Sequence, residues 1–127
     1  GAALPLEGNP TMGVRGRDLA AGLPKTIEVR SHEITEAIAD PLAEIVRTVK
    51  AVLRETPPEL AADVIENGMV LSGGTALLRN FDYLLSEATG VPARVADEAL
   101  FCVAKGTGMA LENLDAYKQT IVISRPF

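Results

Sequence analysis

The sequence holds a single histidine, His32, and a single cysteine, Cys102. One of each excludes an internal disulfide, a His/Cys metal cluster and any Ser–His arrangement that needs a second histidine. His32 reads as a solvated residue near a helix start, not a catalytic one. Cys102 falls inside the apolar stretch Ala99-Leu100-Phe101-Cys102-Val103-Ala104 and reads as an inert buried thiol, not a nucleophile. That stretch is the longest uninterrupted apolar run, far short of the roughly 20 residues a membrane-spanning helix requires. Lys and Arg number 12 against 17 Asp and Glu, for a formal net charge of -5, and no dense basic cluster occurs. A nucleic-acid binder, whose affinity rests on neutralising phosphates, is therefore not expected. No pair of carboxylates is singled out by spacing, so no catalytic residue and no metal ligand is assigned. A Walker-type loop is missing, because no Gly-x-x-x-x-Gly-Lys-Ser/Thr string occurs. No signal peptide opens the sequence, and the expected setting is reducing and cytoplasmic.

What is present suits one modest globular unit. Hydrophobic residues make up 47% and charged residues 23% of the 127, close to globular averages. Residues 1–10 carry two prolines and two glycines and read as an extended lead-in. Residues 11–30 read as a β-hairpin: Met12 and Val14 alternate with Gly13 and Arg15, and Ile27 and Val29 with Thr26, Glu28 and Arg30. Alternation of this kind suits a sheet with one solvated face. Arg15, Arg17, Lys25 and Arg30 form the densest basic group, read as that solvated face in preference to an anion-binding surface.

Residues 31–55 read as helix in two pieces, with Ser31 capping the first. Asp40-Pro41 restarts the second or kinks a single helix. Ile34, Ile38, Leu42, Ile45, Val46, Val49, Val52 and Leu53 fall on one stripe that faces a core. Thr56-Pro57-Pro58-Glu59 ends that helix and starts another, with Thr56 as cap, and Asn67-Gly68 ends it in turn. Residues 69–71 then read as a short buried strand. Leu77, Leu78, Phe81, Leu84 and Leu85 recur at helical spacing, and residues 91–96 form a second strand with Pro92 at its margin. Strand, helix and strand in this length imply a parallel crossover. A last helix spans residues 99–114. Gly106 and Gly108 inside it lower its helical propensity, so a close backbone approach is expected there, to the sheet or to a ligand.

The stretch Ser72-Gly73-Gly74-Thr75-Ala76-Leu77 joins the first of those strands to its helix. Two glycines let a ligand come close to backbone N–H groups. Thr75 stands where a helix N-cap is favoured, and open N–H groups at a helix start attract anions. The pattern suits a phosphate cradle, although a Gly-Gly pair between strand and helix is often only a tight connection.

Gly68-Met69-Val70-Leu71-Ser72-Gly73-Gly74-Thr75-Ala76-Leu77-Leu78-Arg79-Asn80 resembles the second-domain nucleotide motif of the MreB family, the bacterial actin-like shape proteins. Gly16-Arg17-Asp18-Leu19, Gly22-Leu23-Pro24-Lys25, Thr56-Pro57-Pro58-Glu59-Leu60-Ala61 and Val103-Ala104-Lys105-Gly106-Thr107-Gly108 resemble the same family, in the same order and at similar spacing. The resemblance runs from residue 1 to about residue 115 and implies the C-terminal part of such a protein.

The fold it implies is an α/β, actin-like (RNase H-like) partial domain. A small, mostly parallel sheet is flanked by helices, with an antiparallel β-hairpin beside it. Residues 1–30 would be the hairpin part of the outer second subdomain, 31–115 the inner second subdomain with the nucleotide-facing loop and closing helix, and 116–127 a C-terminal tail. By the same resemblance, ATP or ADP with Mg²⁺ lies between two domains. Gly73, Gly74 and Thr75 supply backbone contacts near the ribose and α-phosphate, together with Ser72 and Leu77.

Most of the family carries a third glycine where this sequence has Thr75; actins carry threonine there. The first-domain phosphate loop and catalytic acid have no counterpart. The family is a weak ATPase, and this chain alone is expected to be inactive. The implied partners are further filament subunits, the membrane-anchored protein RodZ and wall-synthesis proteins. The implied location is the cytoplasm, under the inner membrane, with membrane association through parts not in this sequence. The alternatives are a fragment of a sugar kinase or Hsp70-type relative, and a stand-alone interaction module without nucleotide.

Overall fold

The computed structural model describes residues 1–117. Strands β1 (Thr11–Arg17) and β2 (Pro24–Arg30) pair antiparallel, from Thr11 opposite Arg30 to Arg17 opposite Pro24. Asp18 shapes the connection. Its Oδ1 accepts the N–H groups of Ala20 and Ala21 at 2.9 and 3.1 Å, and its Oδ2 meets Lys25 Nζ at 3.0 Å. The Ala21 N–H, then Lys25, then the Ala20 N–H stabilise the ionised carboxyl and hold its pKa below the ordinary value. The register puts Met12, Val14, Ile27 and Val29 on one face, as the alternation predicts. That face is left largely open, with Met12 66% and Ile27 51% exposed, and only Val29 is half-buried.

Helices α1 (Ser31–Ala37) and α2 (Ala39–Glu55) are indeed two pieces, but they part at Ile38, not Asp40. Pro41 is the cause. It has no N–H to offer the Ala37 carbonyl, and its ring crowds that carbonyl, so the chain must turn before it. Ile38 still donates to Ile34 O and Leu42 to Ile38 O, both at 3.1 Å. Ser31 is the first helical residue and Arg30 the cap, with the Arg30 N–H donated to Glu33 Oε2 at 2.7 Å. Thr56 likewise closes the helix it follows, donating its hydroxyl to Val52 O at 2.8 Å. Helix α3 (Pro58–Asn67) starts behind Pro57.

Strands β3 (Met69–Leu71) and β4 (Ala93–Val95) pair in parallel, Met69 with Ala93 and Leu71 with Val95. The crossover runs through a 3₁₀ turn (Gly74–Leu77) and helix α4 (Phe81–Thr89). Gly68, at φ +76°, lies so close that a Cβ there would sit 2.6 Å from Pro92 O, which accepts the Met69 N–H at 2.7 Å. No other residue fits. β3 is only half buried, and Val70 is exposed, contrary to the expected buried strand.

Leu42, Phe81, Leu85 and Ala3 form the core, with Ile38 and, from α2, Ile45, Val46 and Val49 packed against them. The lead-in is part of this core. Ala2 and Ala3 are buried, Ala2 bridges to Arg79 in parallel, and Ala3 N–H donates to Arg79 O at 2.7 Å. Asn9 Oδ1 accepts the His32 N–H at 3.0 Å, which ties the end of the lead-in to α1.

The last helix is split into a second 3₁₀ turn (Ala99–Phe101), α5 (Cys102–Glu112) and α6 (Leu114–Tyr117). A Cβ at Gly106 or Gly108 would meet nothing within 4 Å, so the expected close approach is not made by any described residue. Among the described residues, α5 packs chiefly on its neighbouring turn and α6. Cys102 is half-buried, not sealed in a core, with Sγ 3.8 Å from the carbonyls of Asp97 and Glu98. Of the expected tail, residues 118–127 lie outside the described residues.

Candidate functional site

Beyond β3 the ladder extends by two bonds. Ala96 N–H donates to Leu71 O at 2.9 Å, and Gly73 N–H donates to Ala99 O at 2.7 Å. Gly73 has φ +85° and ψ 177°, a backbone conformation essentially reserved for glycine. It swings the chain off the sheet into the 3₁₀ turn. Gly74 and Thr75 head that turn, so their N–H groups have no acceptor within it. Ala76, 2% exposed, plugs the turn into the interior.

Thr75 therefore lies inside a 3₁₀ turn and does not cap a helix; Gly73 holds the cap position. The apolar periodicity from Leu77 to Leu85 is broken for a specific reason. Leu78 is extended, and Arg79 pairs with the lead-in, so α4 cannot begin before Phe81. Asn80 makes the change of direction in the left-handed region at φ +62°. A four-residue turn carries little macrodipole, so any anion affinity here comes from the open N–H groups themselves.

Thr75 and Leu77, with Gly74, form one wall of an open hollow of about 580 Å³; Ile38 and, from α2, Pro41 and Ile45 form the other. Ser72 and Gly73 stand outside it. Ser72, Gly74, Thr75 and Leu77 are exposed, and no ionisable side chain falls within 72–77. The sequence reading missed the corner at residues 97–100. Glu98 adopts φ +50° there, and Leu100 Cδ2 lies 3.5 Å from where a Gly74 Cβ would stand. Lys105 pairs with the Glu98 carboxylate. Nothing in a pattern of apolar residues marks this corner. Among the described residues, no three His, Cys, Asp or Glu side chains converge to hold a metal ion.

Among solved structures, the chain matches MreB5 of Spiroplasma citri bound to ADP with a TM-score of 0.81 at 32% identity, covering 94% of this chain and 36% of that one. The same protein bound to AMPPNP gives a TM-score of 0.80 at 32% identity, with the same coverage. The fold is thus actin-like, and the chain is a partial domain of it.

The chain belongs to the MreB/Mbl protein family, whose model matches residues 1–119. It is 50% identical over 117 residues to the cell shape-determining protein MreB of Escherichia coli, covering 92% of this chain and 34% of that protein. Against the cell shape-determining protein Mbl of Bacillus cereus it is 49% identical over 115 residues, covering 91% and 34%. The chain therefore spans about a third of the length of these curated relatives.

Proposed function

We propose that this chain is the second-domain portion of a cell-shape cytoskeletal protein that binds ATP or ADP with Mg²⁺ between two domains and polymerises. Its role is to hold one side of the nucleotide. The Gly74 and Thr75 N–H groups approach the α-phosphate, Gly73 and Ser72 leave the backbone uncovered, and Leu77 lies against the nucleoside side of the loop. Residues 1–30 belong to the outer subdomain and 31–115 to the inner one. Support comes chiefly from the glycine corner, which offers two unpaired N–H groups at its turn. The relatives of this fold solved with ADP and AMPPNP add to it.

The carboxylates and phosphate loop required for hydrolysis come from the other domain, so this chain alone is inactive. Family membership decides against the sugar-kinase and Hsp70 alternatives. Filament neighbours, RodZ and wall-synthesis proteins are the proposed partners, and the inner face of the cytoplasmic membrane is the proposed location.

Sedimentation of the intact gene product tests the reading. Mg·ATP should drive it into pelletable filaments, and Gly74→Asp should abolish that response. Pelleting that is indifferent to both nucleotide and variant would overturn it.

A further inference from the structure

Gly73 holds a conformation that requires a fixed neighbour, and the structure supplies one from outside the glycine motif. Its N–H is bound to Ala99 O at 2.7 Å. Ala99 is 3% exposed, so that carbonyl has little freedom to follow the loop. Its direction is set one residue earlier. Glu98 stands at φ +50°, ψ +47°, and its own carbonyl accepts the Phe101 N–H at 2.7 Å to close the second 3₁₀ turn. Among the described residues, the other two non-glycine residues at positive φ are asparagines, Asn9 and Asn80, which tolerate the left-handed region; a glutamate there is rarer. From the same corner, Leu100 lies alongside Gly74. Residues 97–100 thus touch both glycines, one through a carbonyl and the other through a side chain.

We propose that Glu98 is a positioning residue for the glycine loop. Its left-handed backbone aims the Ala99 carbonyl at Gly73 and so keeps the Gly74 and Thr75 N–H groups unpaired and available to a nucleotide phosphate. This rests on the nucleotide reading given above. The role belongs to the backbone conformation, not to the carboxylate, whose partner Lys105 lies on α5.

The test uses the intact gene product, Mg·ADP binding by calorimetry, and deuterium exchange of the segment 69–78. Glu98→Val, β-branched and unfavourable at this φ, should weaken ADP binding about tenfold and speed exchange in that segment. Glu98→Ala, a gentler variant if valine impairs folding, should do both to a smaller extent. Glu98→Gly and Glu98→Asn should bind and exchange like the wild type, although the ion pair is gone. Lys105→Ala should also leave both readouts unchanged. Glycine and valine variants equally impaired would overturn the proposal, as would a valine variant indistinguishable from wild type. Wild-type protein that fails to bind ADP would overturn the nucleotide reading and this inference together; wild-type binding that Glu98→Val and Glu98→Ala leave unaltered would overturn this inference alone.

Discussion

Alanine at Gly73 and at Gly74 should act in opposite directions on stability, although the two glycines are adjacent. At Gly73 an added Cβ meets nothing within 4 Å, so the cost is entirely that of forcing an L-residue to φ +85°, ψ 177°. Such a conformation costs of order 1–3 kcal/mol. With a urea m-value of about 2 kcal/mol/M, the midpoint should fall by roughly 1 M. At Gly74 the φ is not positive, and the new Cβ would stand 3.5 Å from Leu100 Cδ2, an ordinary contact. Removing glycine's freedom in the unfolded chain should then stabilise by about 0.4–1 kcal/mol. If the ligand approaches Gly74, the same methyl group stands in its way, and Gly74→Ala should lose nucleotide affinity while gaining stability. Urea unfolding of the chain and Mg·ADP calorimetry on the intact gene product measure the two effects. A Gly73→Ala variant as stable as wild type would refute the backbone argument. A Gly74→Ala variant with undiminished affinity would refute the ligand approach.

Gly68→Ala should destabilise the chain by more than about 2 kcal/mol, since backbone strain adds to overlap with the Pro92 carbonyl; equilibrium unfolding checks it, and a wild-type midpoint would contradict it. Asp18 has its folded-state pKa held below the ordinary 3.8, so its contribution to the hairpin is present above that value and is lost as pH falls through the folded pKa. Amide exchange at Ala20 and Ala21, followed downward from pH 5, should show protection lost in that acid range in the wild type. Asp18→Asn should remove this acid step, and a step that persists in the variant would count against Asp18 as its source. The isolated chain should form dimers or larger species, because the large apolar side chains of Met12, Val103 and Leu111 are 66, 78 and 62% exposed; light scattering showing a monomer at high concentration would contradict this.

Much of this fold is legible in the residues because local chemistry dictates it. The hairpin follows from alternation and the Asp18 turn, and the α1/α2 break from Pro41. The parallel pair follows from two short apolar runs separated by a helical pattern. Where the reading departs from the structure, tertiary pairing won. Arg79 pairs with the lead-in, which cuts the helix expected after Thr75 and places Thr75 in a 3₁₀ turn. The lead-in, poor in large apolar residues, enters the core through Ala2 and Ala3, whose small size gave no hydrophobic signal. Gly106 and Gly108 invited a close contact that no described residue makes, as fits a chain spanning a third of its relatives' length. The glycine loop itself was visible from Gly73 and Gly74. Its support at Glu98 and Ala99 was not, because left-handed φ at a glutamate leaves no mark in a sequence.

Calorimetry of Mg·ATP binding to the intact gene product and its Gly74→Asp variant tests whether this glycine loop holds a nucleotide. A Cβ at Gly74 would make only an ordinary contact, 3.5 Å from Leu100 Cδ2, so the variant is expected to fold and a loss of binding to report on the ligand. Saturable binding by the wild type and none by the variant is the expected result. Equal binding by both would place the nucleotide elsewhere and contradict the assignment of the site.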